Sequence, residues 1–271
     1  MAKVLVVTSG KGGVGKTTST AALGASLAQN GEKVVVVDFD VGLRNLDLVM
    51  GAERRVVFDL INVVQGVAKL SQALIRDKRL ENLWLLPASQ TRDKDALTDE
   101  GVGSIIADLR TRFDWIICDS PAGIERGATL AMRYADEAVI VTNPEVSSVR
   151  DSDRIIGMLD SKTVKAEKGE QVKKHVLITR YDTARAARGE MLTIEDILEI
   201  LATPLLGIIP ESQDVLRASN VGSPVTLNNA ASAPARAYTD AARRLMGETV
   251  TMLVPTERKG LMDRLLGRRA A

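Results

Sequence analysis

Hydrophobic residues are concentrated in short, almost continuous runs along the chain, and longer segments of mixed polarity separate these runs. Continuous runs rich in valine, isoleucine and leucine are typical of strands that are buried on both faces, as in a parallel sheet. They predict strands at residues 4–7, 34–37, 83–86, 115–117, 138–141, 176–178 and 205–209. The segments between them predict helices at residues 17–29, 98–112, 146–159, 193–201 and 234–246. This alternation predicts an α/β fold with a single doubly wound, mostly parallel sheet flanked by helices.

The predicted elements divide the chain into one large domain and a short tail. We predict a folded domain over residues 1–250, a spacer at residues 251–255 and a separate tail at residues 256–271. Residues 162–174 are strongly charged and contain few apolar side chains, so they predict a solvated surface connection. The sequence contains neither an internal repeat nor a low-complexity segment.

A glycine-rich stretch, SGKGGVGKTT, lies between the first predicted strand and the first predicted helix. Residues 10–17 fit the phosphate-binding pattern G-x-x-x-x-G-K-[ST] of P-loop proteins; a glycine-rich turn without a ligand is the alternative. Backbone N–H groups and the positive end of the helix dipole can bind phosphate oxygens there. We expect Lys16 to reach the β- and γ-phosphates of a nucleotide and the Thr17 hydroxyl to bind Mg²⁺. The predicted nucleotide contacts are Gly10, Lys11, Gly12, Gly13, Val14, Gly15, Lys16, Thr17 and Thr18.

Aspartates follow two other predicted strands, at the end of the strand where ligands of α/β sheets bind. Asp38 and Asp40 end the stretch VVVVDFD, and Asp119 follows the strand in WIICDSPAG. An aspartate in this setting often holds Mg²⁺ through water, which is the role that we expect for Asp119. We expect Asp40 to orient or deprotonate the attacking water and Asp38 to contribute to nucleotide binding. For Asp38 and Asp119, capping of a turn is the simpler alternative.

The composition limits the classes of function. The chain has 36 basic and 35 acidic residues, so its overall charge does not indicate a nucleic-acid partner. With one cysteine, Cys118, and one histidine, His175, it offers little for a disulfide framework, a histidine-based metal site or a Ser/His/Asp triad. No signal-peptide pattern is visible, and no apolar stretch approaches the roughly 20 residues needed to cross a bilayer. We therefore expect a cytoplasmic protein.

The tail at residues 256–271 carries five basic and two acidic residues. At about 100° per residue, four apolar side chains share one helical face and basic side chains flank it. This arrangement favours a helix that lies on an anionic membrane surface; a helix docked on the protein core is the alternative. Because so few apolar groups bind weakly and reversibly, stable attachment needs two tails brought together by dimerisation. The predicted membrane contacts are Leu261, Met262, Arg264, Leu265 and Leu266.

The phosphate-binding loop contains a second lysine, Lys11, five residues before Lys16. A lysine at this position is the deviant form of the Walker A loop. Together with FDVGLRNLDLVMG, DSPAGIE, TNPEVSSVRDSDRI, IPESQDVLRASN and ERKGLMDRLLGRR, it makes the sequence resemble the MinD/ParA family of ATPases over nearly its whole length.

The resemblance implies an ATPase that uses Mg²⁺ and forms an ATP-dependent homodimer, in which Lys11 contacts phosphate of the nucleotide held by the partner subunit. It also implies that residues 38–45 and 119–123 are switch segments that respond to the γ-phosphate. Specificity for ATP over GTP rests on this resemblance. The further residues that it implies are Asn45 for placing the water, Arg180 and Pro210 for binding the base, and Asp151 and Asp153 for dimer or partner contacts.

For the cell, the resemblance implies a switch that cycles between the cytoplasm and the cytoplasmic face of the inner membrane and positions the division septum with MinC and MinE. The alternative from another class is a ParA-like DNA-partition ATPase, which needs a basic surface for DNA phosphates. The near-neutral charge and the basic cluster in an amphipathic tail favour the membrane switch, with no nucleic acid expected as a partner. A scaffold that binds nucleotide without hydrolysing it is disfavoured by Asp40, and relatives that bridge an iron–sulfur cluster need two cysteines per chain.

Overall fold

The hydrophobic runs of the sequence form one sheet in the computed structural model, which describes residues 2–90 and 96–254. The strands are β1 (Lys3–Thr8), β2 (Val34–Asp38), β3 (Ile75–Arg76), β4 (Leu83–Leu86), β5 (Trp115–Asp119), β6 (Glu137–Thr142), β7 (Lys173–Tyr181) and β8 (Leu205–Pro210). Within the described ranges, eight strands lie in the order β3-β4-β2-β5-β1-β6-β7-β8. Among them, only β3 is antiparallel to its neighbour. All seven predicted strands are confirmed, whereas β3 was missed because two residues at an edge carry no hydrophobic run.

Helices of at most fourteen residues connect the strands. All five predicted helices are confirmed, with ends that differ by at most two residues from those predicted. The short helices were missed because they span too few turns to show a helical period. The helices are α1 (Lys16–Gln29), α2 (Leu46–Val49), α3 (Leu60–Val64), α4 (Leu70–Ala73), α5 (Asp99–Arg110), α6 (Arg126–Met132), α7 (Val146–Leu159), α8 (Val164–Glu167), α9 (Thr183–Ala187), α10 (Ile194–Leu201), α11 (Gln213–Asn220), α12 (Val225–Asn228) and α13 (Ala233–Leu245).

The segment at residues 162–174, predicted to be a solvated connection, is partly structured. Its middle forms α8, and the buried Thr163 side chain begins this helix by accepting a hydrogen bond from the backbone N–H of Ala166. Its end already belongs to β7, which starts at Lys173. Charge alone therefore gave no sign of the capping residue that organises this segment.

Helices cover both faces of the sheet, and the buried apolar side chains of the described residues form three clusters, two of which contain residues of β1. In β1, Leu5 and Val7 face the core beneath α1 and α13, whereas Val4 and Val6 face the core beneath α5 and α6. The helix α1 packs closely on the sheet, since a Cβ atom added at Gly24 would lie 2.8 Å from a side-chain carbon of Val36. The segment that follows the glycine-rich stretch is thereby fixed in place.

Seven parallel strands direct their carboxyl ends to the same edge of the sheet. Strand β1 lies at the centre, where the strand order reverses between β5 and β6. In open α/β sheets, ligands bind outside the carboxyl ends of the strands at such a switch point. The loops after β1, β2, β5 and β7 therefore surround the expected binding site.

The predicted tail lies outside the described residues. Its proposed membrane contacts (Leu261, Met262, Arg264, Leu265 and Leu266) therefore remain predictions, as do the domain boundaries. Residues 251–254 have no regular secondary structure, and the Arg244 guanidinium donates to the backbone carbonyls of Val250 at 3.0 Å and Thr251 at 2.8 Å. No helix in the described part of the chain has the length and hydrophobicity to span a bilayer.

At the amino ends of the parallel strands, opposite the expected binding site, a nearly buried carboxylate is surrounded by basic groups. Glu137, the first residue of β6, lies 3.2 Å from His175, 3.3 Å from Lys3 and 3.7 Å from Lys173. Burial raises the pKa of Glu137, but the hydrogen bond from His175 and the charges of the two lysines outweigh it and lower the pKa to about 2. A folded-state pKa below the ordinary value means that ionised Glu137 stabilises the fold.

We expect Glu137→Gln to lower the free energy of unfolding by roughly 2 to 3 kcal/mol at pH 7. The contribution of Glu137 is present above pH 4.5 and is lost as the pH falls toward 2, so the difference between the two proteins shrinks over that interval. Urea unfolding followed by circular dichroism between pH 7 and pH 3 measures it.

Glu167→Gln is the matched control for this experiment. Glu167 also forms an ion pair, at 2.6 Å from Arg133, but its side chain is 56% exposed, so its removal should change stability much less. If the two variants lose the same free energy of unfolding at pH 7, ionised Glu137 does not stabilise the fold more than an exposed ion pair. If the loss in Glu137→Gln persists at low pH, it does not come from the ionised carboxylate.

Candidate nucleotide-binding site

The glycine-rich stretch forms a tight turn between β1 and α1. Gly13 and Gly15 have φ values of +74° and +95°, a region that residues with side chains rarely adopt. Gly15 is the residue that caps the amino end of α1. Backbone N–H groups and the positive end of the helix dipole therefore point into the turn, which is the geometry that binds phosphate.

Gly10 is a glycine for a different reason, since it contacts the backbone of α7. A Cβ atom added at Gly10 would lie 2.4 Å from the carbonyl oxygen of Asp151, closer than real Cβ atoms approach. A side chain here would push the phosphate-binding loop away from α7. The start of the loop is therefore in direct contact with the backbone of α7.

The two lysines of the loop point in different directions. Lys16 is buried, and its Nζ donates to Ser9 Oγ at 2.9 Å, while Ser9 Oγ donates to the backbone carbonyl of Lys11 at 2.7 Å. Burial lowers the pKa of Lys16, and the charges of Asp119 and Asp40 oppose this effect. The Lys11 side chain instead extends to α7, where its Nζ lies 2.6 Å from the Glu145 carboxylate.

A cavity of about 530 Å³ opens beside the loop. This volume lies within the range of sites for small ligands and cofactors. Of the residues predicted to contact nucleotide or water, nine line the cavity, and Lys11 is not among the described residues that do so. These nine are Gly12, Gly13, Gly15, Lys16, Thr17, Thr18, Asp40, Asn45 and Arg180. Gly10, Val14, Asp38, Asp119 and Pro210 lie outside this lining.

Two buried carboxylates lie side by side behind the cavity. Asp38 and Asp119 end the adjacent strands β2 and β5 and are partners in their register. Asp119 accepts a hydrogen bond from Thr20 Oγ1 at 2.9 Å. Burial raises the pKa of Asp119 to about 6, although the hydroxyls of Thr17 and Thr20 and the charge of Lys16 act in the opposite direction. Buried acidic oxygens beside a threonine hydroxyl are the hard ligands that Mg²⁺ prefers, so this set fits the predicted metal.

Asp38 organises the loop that follows β2. Its Oδ1 accepts from the backbone N–H of Asp40 at 2.8 Å, and its Oδ2 accepts from that of Leu46 at 3.3 Å. Burial and the neighbouring Asp119 raise the pKa of Asp38 well above its ordinary value. Asp38 thus holds the loop at residues 39–46, which brings Asp40 and Asn45 to the cavity.

The same loop contains a residue in an unusual backbone conformation. Arg44 has a φ of +46°, and its Nε lies 2.8 Å from Oδ2 of Asp47, which is buried. Burial raises the pKa of Asp47, whereas the Arg44 charge lowers it. The ion pair is thus formed by a residue in the left-handed region, immediately before Asn45.

The two residues predicted to bind the base line different cavities. Arg180, which has a φ of +54°, lines the cavity beside the loop. Pro210 lines a larger groove of about 1160 Å³ with Tyr181, its partner in the register of β7 and β8. The two cavities are thus lined by consecutive residues at the carboxyl end of β7, Arg180 and Tyr181.

The residues predicted for dimer or partner contacts lie on α7. The backbone of Asp151 contacts Gly10, and Asp153 is exposed on the same helix. Three further residues that contact the site were not predicted from the sequence: Ser9, Thr20 and Glu145. Ser9 directly precedes the predicted loop and Thr20 lies one helical turn after Thr17, so both were within reach of the motif. Glu145 is 134 residues from Lys11 and gave no signal.

Comparison with known proteins identifies the family. The sequence model of the CobQ/CobB/MinD/ParA nucleotide binding domain matches residues 5–225. Over 270 residues, which are 98% of this chain and 100% of the relative, the sequence is 61% identical to the septum site-determining protein MinD of Escherichia coli.

Solved structures agree with the sequence comparison. MinD in a MinC:MinD complex from Aquifex aeolicus superposes with a TM-score of 0.82 at 42% identity, covering 96% of this chain and all of that chain. MinD of Pyrococcus horikoshii, complexed with Mg-ADP, superposes with a TM-score of 0.79 at 31% identity, covering 90% of this chain and 96% of that chain. The phosphate loop with two lysines lies at the switch point of a mostly parallel sheet, which agrees with these comparisons. The chain therefore belongs to the MinD family of septum site-determining proteins, within the MinD/ParA nucleotide-binding group.

Proposed function

We propose that the chain is an ATP-hydrolysing switch that dimerises with ATP and binds the cytoplasmic face of the inner membrane through its tail. With MinC and MinE it positions the division septum. Full-length similarity to septum site-determining proteins and a related MinC:MinD complex support this function. The DNA-partition alternative has weaker support, since a 61% identical relative is a septum site-determining protein.

The observation that carries the proposal is the direction of the Lys11 side chain. Six loop residues line the cavity, while Lys11 leaves the same loop and extends along the surface to α7. Because its side chain leads away from the cavity of its own chain, we assign this lysine to a nucleotide held by a second copy. Lys11 then supplies positive charge to the partner's γ-phosphate, as an arginine finger does, and the nucleotide becomes part of the dimer interface.

Exposed apolar side chains beside the cavity support a dimer on this face. Leu43, Ile124 and Val146 are 69%, 57% and 51% exposed. Leu43 lines the cavity, Ile124 lies beside Glu125 in its wall, and Val146 follows the residue that pairs with Lys11. Apolar groups that rim a polar site are typical of a surface that a partner covers.

The residues of the cavity and those around it divide the work of nucleotide binding and hydrolysis. The backbone of the loop and Lys16 bind the phosphates, while Asp40, with Asn45, orients the attacking water and accepts its proton. Thr17 and Asp119 hold Mg²⁺, Asp119 through water, and a bound Mg²⁺ ion neutralises charge on the phosphate oxygens. The related structure complexed with Mg-ADP supports the binding of nucleotide together with Mg²⁺ in this family. Arg180 and Pro210 contact the base, and Asp151 and Asp153 contribute to dimer or partner contacts.

We expect Asp40→Ala to slow ATP hydrolysis by roughly 10²- to 10⁴-fold, because the water loses its general base. Nucleotide affinity should remain, since the phosphates are bound by the loop. Phosphate release and the binding of a fluorescent ATP analogue measure the two quantities. Asp108→Ala, which removes an exposed carboxylate paired with Arg112, is the control. Undiminished turnover of Asp40→Ala would remove Asp40 from this role.

We expect Lys11→Ala to retain much of the nucleotide binding and to lose ATP-driven dimerisation, with a fall in kcat on the order of 10³-fold. Lys16→Ala should instead lose nucleotide binding, because its ammonium group is directed into the cavity of its own chain. Sedimentation velocity with ATP, with ADP and without nucleotide measures the dimer. Dimerisation of Lys11→Ala at the normal ATP concentration would argue against a contact across the interface.

We expect the full chain to sediment with anionic liposomes in ATP and not in ADP, and a chain ending at Val254 to remain in solution. Two tails should bind roughly 10²- to 10⁴-fold more tightly than one. Leu265→Glu should abolish binding, whereas the matched control Ala270→Glu, outside the apolar face, should not. Liposome binding that survives removal of the tail contradicts the proposal, and ATP-dependent binding to DNA alone would favour the partition ATPase.

A further inference from the structure

In the single chain, α7 already holds Lys11. Its Nζ donates to Glu145 Oε2 at 2.6 Å and to Ser147 Oγ at 3.2 Å. The side chains of Lys11 and Glu145 are 39% and 55% exposed, so water and ions reach the pair. If Lys11 acts on the nucleotide of a partner, it must first give up these contacts.

The Glu145 carboxylate is positioned for this contact. Its second oxygen, Oε1, accepts from Asn143 Nδ2 at 2.6 Å, and Asn143 is buried. Glu145 is the cap residue of α7, yet within the described structure its side chain accepts no hydrogen bond from the backbone of that helix. Both carboxylate oxygens are therefore used to hold Lys11 and to fix the orientation of Glu145 itself. The hydrogen bond from Lys11 lowers the pKa of Glu145.

The position of Lys11 is unfavourable without Glu145. Ser147 belongs to the first turn of α7, so the ammonium group lies at the positive end of a fourteen-residue helix. The helix dipole favours anions there and repels cations. Attraction to the Glu145 carboxylate is what offsets this repulsion.

The backbone cannot relieve the arrangement. Because Gly10 is in contact with the carbonyl of Asp151, the start of the loop cannot move closer to α7. The backbone carbonyl of Lys11 is held as well, by the hydrogen bond from Ser9 at 2.7 Å. Lys11 can therefore leave Glu145 by rotation of its side chain while the loop stays in place.

We infer that Glu145 is a counter-ion that holds Lys11 on its own chain and competes with the partner's nucleotide for it. This inference rests on the proposed function of Lys11 across the dimer. Glu145 is thus a positioning residue, which acts through Lys11. An exposed ion pair changes an equilibrium by up to about fivefold, and salt screens it. The effect is large enough to set the ATP concentration at which dimers form and small enough for the partner's γ-phosphate to overcome.

The first measurement uses the full chain with Glu145→Gln and a non-hydrolysable ATP analogue. We expect the dimer dissociation constant to fall by about two- to fivefold, and the difference from the parent chain to shrink at high salt, where the ion pair is already weakened. Asp160→Asn is the matched control, because Asp160 is an ion-paired, partly exposed carboxylate at the other end of α7. A dimer that is weakened or unchanged by Glu145→Gln would overturn the inference.

The second measurement tests the contact without a dimer. In the nucleotide-free chain, acetylation of Lys11 followed by mass spectrometry should proceed faster in Glu145→Gln than in the parent chain or in Asp160→Asn. Lys33 serves as an internal reference. Unchanged acetylation of Lys11 would show that Glu145 does not hold it and would overturn the inference. Because this readout needs no dimer, failure of the proposed function, seen as normal dimerisation of Lys11→Ala, is distinguished from failure of the inference.

Discussion

The direct contact between Gly10 and the backbone of α7 is the constraint on which the site depends. It fixes the first turn of the phosphate-binding loop against a helix that packs on the other half of the sheet. From this fixed start, the chain turns through two glycines with positive φ and enters α1, so Lys16 points inward and Lys11 points outward. In the proposed dimer, one short loop thereby serves both the nucleotide of its own chain and the surface that a second chain approaches.

Three charged groups near the carboxyl ends of the strands are buried. Asp38, Asp119 and Lys16 are all nearly inaccessible to water. Burial raises the pKa of the two aspartates and lowers that of the lysine, which favours the neutral form of each group. Hydroxyl groups and backbone N–H groups satisfy them in part, with Ser9 on the lysine and Thr20 on Asp119. Buried charges are costly without water or a partner of opposite charge. A phosphate with Mg²⁺ supplies such partners, so these groups are suited to bind a charged ligand.

In the function proposed above, weak interactions at the surface connect nucleotide state with location. The ion pair between Lys11 and Glu145 is exposed, and a tail with few apolar side chains binds a membrane weakly. Neither is strong enough to fix the protein in one state. In the proposed dimer both would shift at once, since Lys11 would gain a phosphate partner and the second tail insertion would be intramolecular. Reversibility of the switch follows from the modest strength of its parts.

The sequence by itself determined the strands, the long helices and the position of the phosphate-binding loop, because these depend on local hydrophobic period and on glycine spacing. It also placed Asp40, Asn45 and Arg180, which the structure brings to one cavity. Only the tertiary structure decided which groups surround the two lysines, since Glu145 is 134 residues from Lys11 and Asp119 meets Thr20 across the core. Such contacts follow from strand order and helix packing, which join distant segments and leave no periodic signal in the chain. Asp38 is a further example of a contact that only the tertiary structure decided. Its place at the end of a strand predicted a ligand contact, and the structure adds that its carboxylate accepts hydrogen bonds that hold the loop containing Asp40.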